Sequence, residues 1–227
     1  MPISTLAQPF ITTFYSPTSP VADPSGRTLA SILFYKDAEL ENHHDYIQLL
    51  FPLPEASPFN PFAPVIDEPT FTAFRSSPEL RSQLLQAWIR MLHFYGFIYT
   101  PTAKVGQQVQ LGDGFWGKQG KGRRWLMRFN HNHLRITRIL RSLRVLGSEE
   151  QAEEFWAALL RLRELRRVSV VEIGDRSYMY WERAMRRPLW ISPDEDFVPP
   201  PGTGWLWEWE QQQGEMMGKA VTDRGTE

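Results

Sequence analysis

The 227-residue chain contains no cysteine. That absence removes disulfide bridges, thiolate nucleophiles and cysteine-ligated zinc in one step. No stretch holds the roughly 18 uninterrupted apolar residues that a membrane-crossing helix needs; Leu49-Leu50-Phe51, for example, runs straight into Pro52. The N-terminus, Met1-Pro2-Ile3-Ser4-Thr5, has neither the basic start nor the apolar run of a secretory signal. An intracellular location, cytoplasmic or nuclear, is expected. Charge of one sign is also lacking. With 25 Lys and Arg against 26 Asp and Glu, the formal net charge is -1, so any nucleic-acid or anionic-lipid partner needs a local patch.

Aromatic residues are abundant instead. Nine tryptophans, seven tyrosines and fourteen phenylalanines are ample for the core of one domain. Proline and glycine divide the chain. Residues 1–28 carry Pro2, Pro9, Pro17, Pro20 and Pro24 and read as an extended or disordered segment, because proline removes helical hydrogen bonds. Residues 29–192 read as a single compact all-α domain of several helices. Residues 193–227 read as a flexible tail with Pro199-Pro200-Pro201, the solvated acidic run Asp194-Glu195-Asp196, and Trp205, Trp207 and Trp209. Those tryptophans have nearly strand-like spacing, yet Trp205 and Trp209 also share a helix face, so they either dock the tail or mark a partner contact.

Within the domain, the clearest helix spans Pro78 to Tyr95, with Ser77 as N-cap, Pro78 at the first position and Gly96 as stop. Other helices are expected at Thr28–Tyr35, Ala38–Leu50, Asn132–Leu146, Glu149–Arg167 and Arg176–Arg187, with one helical turn near Thr70–Phe74. Pro52 ends the second of these, since the residue before proline avoids helical dihedrals. Tyr99–Arg124 is glycine-rich and reads as a flexible loop with a short strand near Gln107–Leu111; Val168–Ile173 is β-branched and extended.

Chemistry is sparsely signalled. Gly112 to Lys118 has the spacing of a phosphate-binding loop, but Gln119 stands where a magnesium-binding hydroxyl belongs and Gly120-Lys121-Gly122 cannot open a helix. All five histidines lie in three places: His43-His44, His93, and His131 with His133. Two clusters brought together would form a site; otherwise they cap helices and bond inside the core. The helix from Leu134 to Arg144 is both basic and amphipathic. Helical rotation turns Arg138 and Arg141 away from the apolar stripe and leaves Arg135 and Arg144 flanking it. With Arg123, Arg124 and Arg128 they form either an anion-binding patch or a solvated face paired with Glu149, Glu150 and Glu153. There is no nucleophile elbow, serine triad or close carboxylate pair, so no catalytic, cofactor or metal residues are assigned.

Two blocks carry more. Leu40-Glu41-Asn42-His43-His44-Asp45-Tyr46-Ile47-Gln48-Leu49-Leu50-Phe51-Pro52-Leu53 is followed by Asn60-Pro61 and Ala63-Pro64, and His131-Asn132-His133-Leu134-Arg135-Ile136-Thr137-Arg138-Ile139-Leu140-Arg141-Ser142-Leu143 comes later. Both resemble signature blocks of the opioid growth factor receptor conserved-domain family, as do Phe34-Tyr35 and Met91-Leu92-His93-Phe94-Tyr95-Gly96 in the same order. The resemblance covers about Leu29 to Arg187. The chain departs from the family at Leu49, where tryptophan is usual, at His133, where asparagine is common, and in its individual glycine-rich insertion. The C-terminal repeats of the vertebrate receptor have no counterpart in these residues.

The resemblance implies a receptor-like protein. The vertebrate member is described as a receptor for an enkephalin peptide, associated with the nucleus and membranes and restraining growth; the domain also occurs in fungi and bacteria. It brings no assigned catalytic or ligand residues. Peripheral membrane association is allowed by it, and no transmembrane span is expected. The matched polar residues His44, Tyr46, Gln48, His131, Asn132, Arg135 and Arg138 are the candidate ligand-binding set, with Asn132 also placed to cap its helix and Tyr46 to brace the core. The leading expectation is a module that binds a peptide or small molecule. One alternative is a cofactor-free isomerase or cyclase acting on a hydrophobic substrate in an aromatic, histidine-bearing pocket. Nucleic-acid binding through the arginine helix ranks last.

Overall fold

Proline, glycine and short polar caps mark where the elements of this chain begin and end. The computed structural model describes residues 9–58, 60–165, 173–194 and 202–224. Its elements begin with five helices: α1 (Phe10–Phe14), α2 (Leu29–Leu33), α3 (Asp37–Asn42), α4 (Tyr46–Leu50) and α5 (Glu68–Ser76). The long α6 (Pro78–Tyr95) leads into the strands β1 (Phe97–Tyr99) and β2 (Val109–Leu111) and a 3-10 turn at Lys121–Arg124. Then come α7 (Asn132–Val145), α8 (Glu149–Glu164), α9 (Asp175–Arg186) and α10 (Gly204–Arg224). The domain is mainly helical around one continuous hydrophobic cluster. Among the described residues, no helix is long and apolar enough to cross a membrane.

The helix α6 forms as its sequence dictates. Ser77 accepts the Leu80 N–H at 3.2 Å, Glu79 sits in the first turn, and Gly96 ends the helix in the left-handed region at φ +92°. Leu84, Trp88, Leu92 and Tyr95 are fully buried along its inner stripe. The same glycine admits a close approach, because a Cβ there would lie 2.9 Å from both Phe115 Cδ2 and Lys121 Cβ.

The glycine-rich stretch after α6 is pinned rather than flexible. β1 and β2 pair antiparallel, with Phe97 opposite Leu111 and Tyr99 opposite Val109. Glu154 of α8, 2% exposed, accepts the N–H groups of Gly106 and of Gln108 (2.9 Å), while Arg161 donates to the carbonyls of Gly106 and Val109. Phe115 and Trp125 then bury themselves against the hairpin.

Both chain ends depart from expectation where they are described. Phe10–Phe14 is helical, and Ile11, Phe14 and Tyr15 enter the core, with the Tyr15 hydroxyl donating to the Leu50 carbonyl. Proline flanks this turn rather than interrupting it, so apolar burial prevails. The tail folds back as α10: Leu206 is fully buried, and Trp205 and Trp209 meet the Phe71 ring edge-on at 5.0 Å each. Helical spacing, not strand spacing, explains these tryptophans, and Trp207 is left 48% exposed. Most of the Val168–Ile173 segment, Glu195-Asp196 and Pro199-Pro200-Pro201 lie outside the described residues.

Candidate functional site

The predicted helix over Ala38–Leu50 is broken at His43-His44-Asp45 into α3 and α4. No glycine or proline lies there. The break is held by an arginine about 90 residues further along the chain.

The helix α7 packs against α8 and α9 and carries arginine at every third position, Arg135, Arg138, Arg141 and Arg144. Rotation about the helix axis turns Arg138 and Arg141 outward on paper, yet Arg141 is only 1% exposed and Arg138 is half-buried. Each of the four reaches main-chain carbonyls of another element. Arg135 donates to the Leu40 carbonyl at 2.8 Å and to the His43 carbonyl at 2.7 Å, at the end of α3 where unpaired carbonyls and the helix dipole favour a cation. It also donates to Asn132 Oδ1 and to His44 Nδ1, both at 3.2 Å, and lies over the Tyr46 ring. Arg138 donates to the Phe51 carbonyl at 3.0 Å, just past α4. Arg141 pairs with Glu55 at 2.8 Å and donates to the Leu189 carbonyl at 2.7 Å, and Arg144 closes the end of α9 through the Ala184 and Arg187 carbonyls. The basic helix is therefore an internal tie, not a solvated face.

A half-enclosed cleft of about 320 Å³ opens where the α3–α4 corner meets α7. His44, Ile47 and Gln48 form one wall; His131, Leu134, Arg135, Thr137, Arg138 and Arg141 form the other. Leu53, Glu55, Ala56, Ser57 and Pro58 close one end, with Pro193 and Asp194 at the rim. Five of the seven residues predicted from sequence line it: His44, Gln48, His131, Arg135 and Arg138. The other two do not. Tyr46 is fully buried and donates its hydroxyl to the Leu40 carbonyl at 3.0 Å. Asn132 bridges Arg135 to Glu41, donating to Glu41 Oε2 at 3.2 Å. It is the first helical residue rather than the cap; Asn130 Oδ1 accepts its N–H at 2.9 Å.

The cleft is polarised. His44 accepts a hydrogen bond from Arg135 at Nδ1, which assigns its proton to Nε2. The His44 and His131 rings meet edge-to-face at 5.2 Å, and His131 Nε2 sits 3.3 Å from Glu41 Oε1 without hydrogen-bonding geometry. Burial, helped by Arg135, holds His131 below its ordinary pKa. The Gln48 amide is assigned with its nitrogen towards the carbonyls of His44 (3.1 Å) and Asp45 (2.7 Å), because the opposite orientation would set oxygen against oxygen. Burial brings the Arg138 guanidinium down to about 10, against the opposing pull of Glu55 and Asp194. Among the described residues, Arg138 makes no ion pair and has the Phe51 carbonyl as its sole hydrogen-bond acceptor. Partial burial and the Glu55 charge raise Asp194 above the ordinary carboxylate range.

The remaining histidines lie elsewhere. His133 is tied between the Trp125 carbonyl (2.8 Å) and Ser177 (2.9 Å), His43 stacks by Tyr35, and His93 ends α6. Among the described residues no Phe, Tyr or Trp lines the cleft, and three of the five histidines lie outside it, unlike the aromatic, histidine-filled pocket expected of an isomerase or cyclase. Among the described residues, no group of three or more His, Asp or Glu is placed to hold a metal ion. Sequence reasoning missed Glu55, Leu134 and Asp194. Glu55 had one faint signal, an acid alone in a proline-rich apolar loop.

Comparison with known proteins agrees with the two blocks that meet at this cleft. The family described as "Opioid growth factor receptor (OGFr) conserved region" matches residues 12–188. The chain is 38% identical over 128 residues to the opioid growth factor receptor of Homo sapiens and 40% identical over 116 residues to that of Mus musculus. These alignments cover 54% and 48% of this chain but only 16% of each receptor. Opioid growth factor receptor-like protein 1 of Rattus norvegicus is 36% identical over 112 residues, covering 49% of this chain and 22% of that protein. The chain thus matches about a fifth of the length of these relatives. No solved structure matches it. A match across residues 12–188 takes in every element from α2 to α9, including both walls of the cleft, and the chain belongs to the opioid growth factor receptor conserved-region family.

Proposed function

We propose that this domain is a receptor-like binding module and that the cleft between the α3–α4 corner and α7 receives its peptide or small-molecule ligand. One observation carries the reading: both sequence blocks that mark the family converge on a concave surface with apolar walls and a guanidinium, Arg138, whose donors are mostly unengaged. Few convergent polar groups set in an apolar concavity are the usual composition of a ligand site, and about 320 Å³ is at the small end of the range such sites span. The relatives bear the name receptor, which accords with binding rather than turnover.

The test is a thermal-shift screen of peptides and metabolites on the 227-residue protein and on Ala56→Trp, which fills the cleft from an exposed position. Ligands that raise the melting temperature of the parent and not of Ala56→Trp, with both proteins equally stable alone, are the expected outcome. A screen with no response, or with every response retained in Ala56→Trp, would refute the assignment.

A further inference from the structure

We infer that the cleft selects a monoanionic carboxylate borne on an apolar group, anchored by Arg138. The inference rests on the cleft being a binding site and adds the chemical class of what enters it. Arg138 carries five N–H donors in a rigid fork, and among the described residues only the Phe51 carbonyl accepts from it. Its neighbours on α7 differ. Arg135 is surrounded by the carbonyls of the α3 end and His44, and Arg141 is paired with Glu55. Arg138 therefore faces the cleft as the guanidinium with most of its donors unengaged and, among the described residues, no ion pair. Burying a cation without an anion is unfavourable, and a carboxylate from outside completes a fork that matches its two oxygens.

The count of charges selects the valence. Among the described residues, three guanidinium groups and two carboxylates line the cleft, an excess of one positive charge. A monoanion balances that excess; a phosphate dianion overshoots it and is repelled by Glu55 and Asp194. The walls select the rest of the molecule. Ile47, Leu53, Pro58 and Leu134 offer apolar surface, and among the described residues no aromatic side chain lines the cleft to stack on a base or sugar. A peptide ending in an apolar residue and a free apolar acid share this chemistry.

Titration calorimetry on the whole chain at low salt, with phenylbutyrate, phenylbutanamide and phenylbutylamine, separates charge from shape. Acetyl-glycyl-leucine and its C-terminal amide form the peptide arm. The acids are expected to bind and the amides and the amine not to. Arg138→Gln should weaken the acids by about tenfold or more, as loss of a charge-assisted fork does. In case that variant folds poorly, Leu134, which is 53% exposed, provides a second test at the surface. Leu134→Glu should weaken and Leu134→Lys strengthen binding, each by about threefold to fivefold at screened cleft distances. Stronger binding of the peptide acid than of phenylbutyrate identifies a chain terminus as the source, and the reverse identifies a free acid. Equal binding of amide and acid, or identical effects of Glu and Lys at position 134, overturns the inference. If those probes still lose affinity in Ala56→Trp, the cleft remains a site and only the ligand class is wrong. Probes that bind nowhere also overturn the class, whereas the site itself stands or falls with the wider screen.

Discussion

Replacing Arg135 with methionine keeps the aliphatic stem and removes the fork that holds the α3–α4 corner. The variant loses donors to the Leu40 and His43 carbonyls, at 2.8 and 2.7 Å, and to Asn132 and His44. Charge-assisted bonds of this kind contribute about 1.5–3 kcal/mol each, and relief of the arginine's own desolvation offsets part of that sum. Breaking one partner of a buried charged network generally costs about 3–5 kcal/mol, and the loss here belongs in that range. For a chain of 227 residues that is a fall of roughly 10 °C in melting temperature. Urea unfolding followed by circular dichroism measures it, and amide exchange should quicken first across residues 37–50. Arg135→Lys should recover no more than about half of the loss, because an ammonium lacks the planar fork. Arg138→Gln should cost less than about 1 kcal/mol, since one carbonyl is lost and an unfavourably buried charge is removed. A loss below about 1 kcal/mol for Arg135→Met, or a lysine variant indistinguishable from the parent, would refute the claim that the guanidinium creates the corner.

Three further outcomes follow from other parts of the chain. Burial holds His93, His131 and His133 below their ordinary pKa, so the unfolded chain binds protons first as the solution is acidified. Stability should therefore decline as pH falls through the ordinary histidine range near 6.5, and His133→Gln should flatten the decline; parallel urea-midpoint profiles for the two proteins would contradict this. Leu206→Ala removes the fully buried anchor of α10 at a cost of about 2–4 kcal/mol, and exchange over residues 204–215 should rise while that of α6 is unchanged. Gly96→Ala meets both the +92° dihedral and the 2.9 Å contacts with Phe115 and Lys121, so a loss of about 2 kcal/mol or more in denaturant unfolding is expected, and a neutral result would mean the hairpin junction yields freely.

The sequence exposed what local chemistry decides. Ser77, Pro78 and Gly96 bound α6 at the expected residues because capping is written in the chain itself. Five of the seven polar residues nominated from the two family blocks reach one cleft as well. Tertiary choices were not legible. The α3–α4 break occurs in a stretch with no breaker residue, since the residue enforcing it lies about 90 positions away. Arg141 sits on the polar side of a helical wheel, yet it is 1% exposed because Glu55 and the Leu189 carbonyl satisfy it inside. Periodicity separates apolar from polar; it does not separate a polar residue facing water from one facing a ring of carbonyls. The N-terminal prolines misled for a related reason. They forbid a long helix, but Ile11, Phe14 and Tyr15 needed only five helical residues, Phe10–Phe14, to reach the core.

Short helices explain why this domain needs so many inward arginines. Every helix leaves several terminal carbonyls without partners, whatever its length. In α3 and α4, of six and five residues, those ends are a large share of the backbone, and the end of α4 is buried in the core while that of α3 lies beside α7. A guanidinium can satisfy several carbonyls at once while its charge opposes the negative end of the helix dipole. Three-residue spacing along α7 sets such groups beside successive chain ends, from α3 at Arg135, past α4 at Arg138, to α9 at Arg144. Capping of this kind predicts that each guanidinium should be saturated by its own chain. Among the described residues, Arg135, Arg141 and Arg144 each reach two or more acceptors and Arg138 reaches one, although burial already weighs against its charge. Desolvated, turned into the cleft and engaged at a single carbonyl, Arg138 is the group on which the proposed carboxylate would complete the scheme.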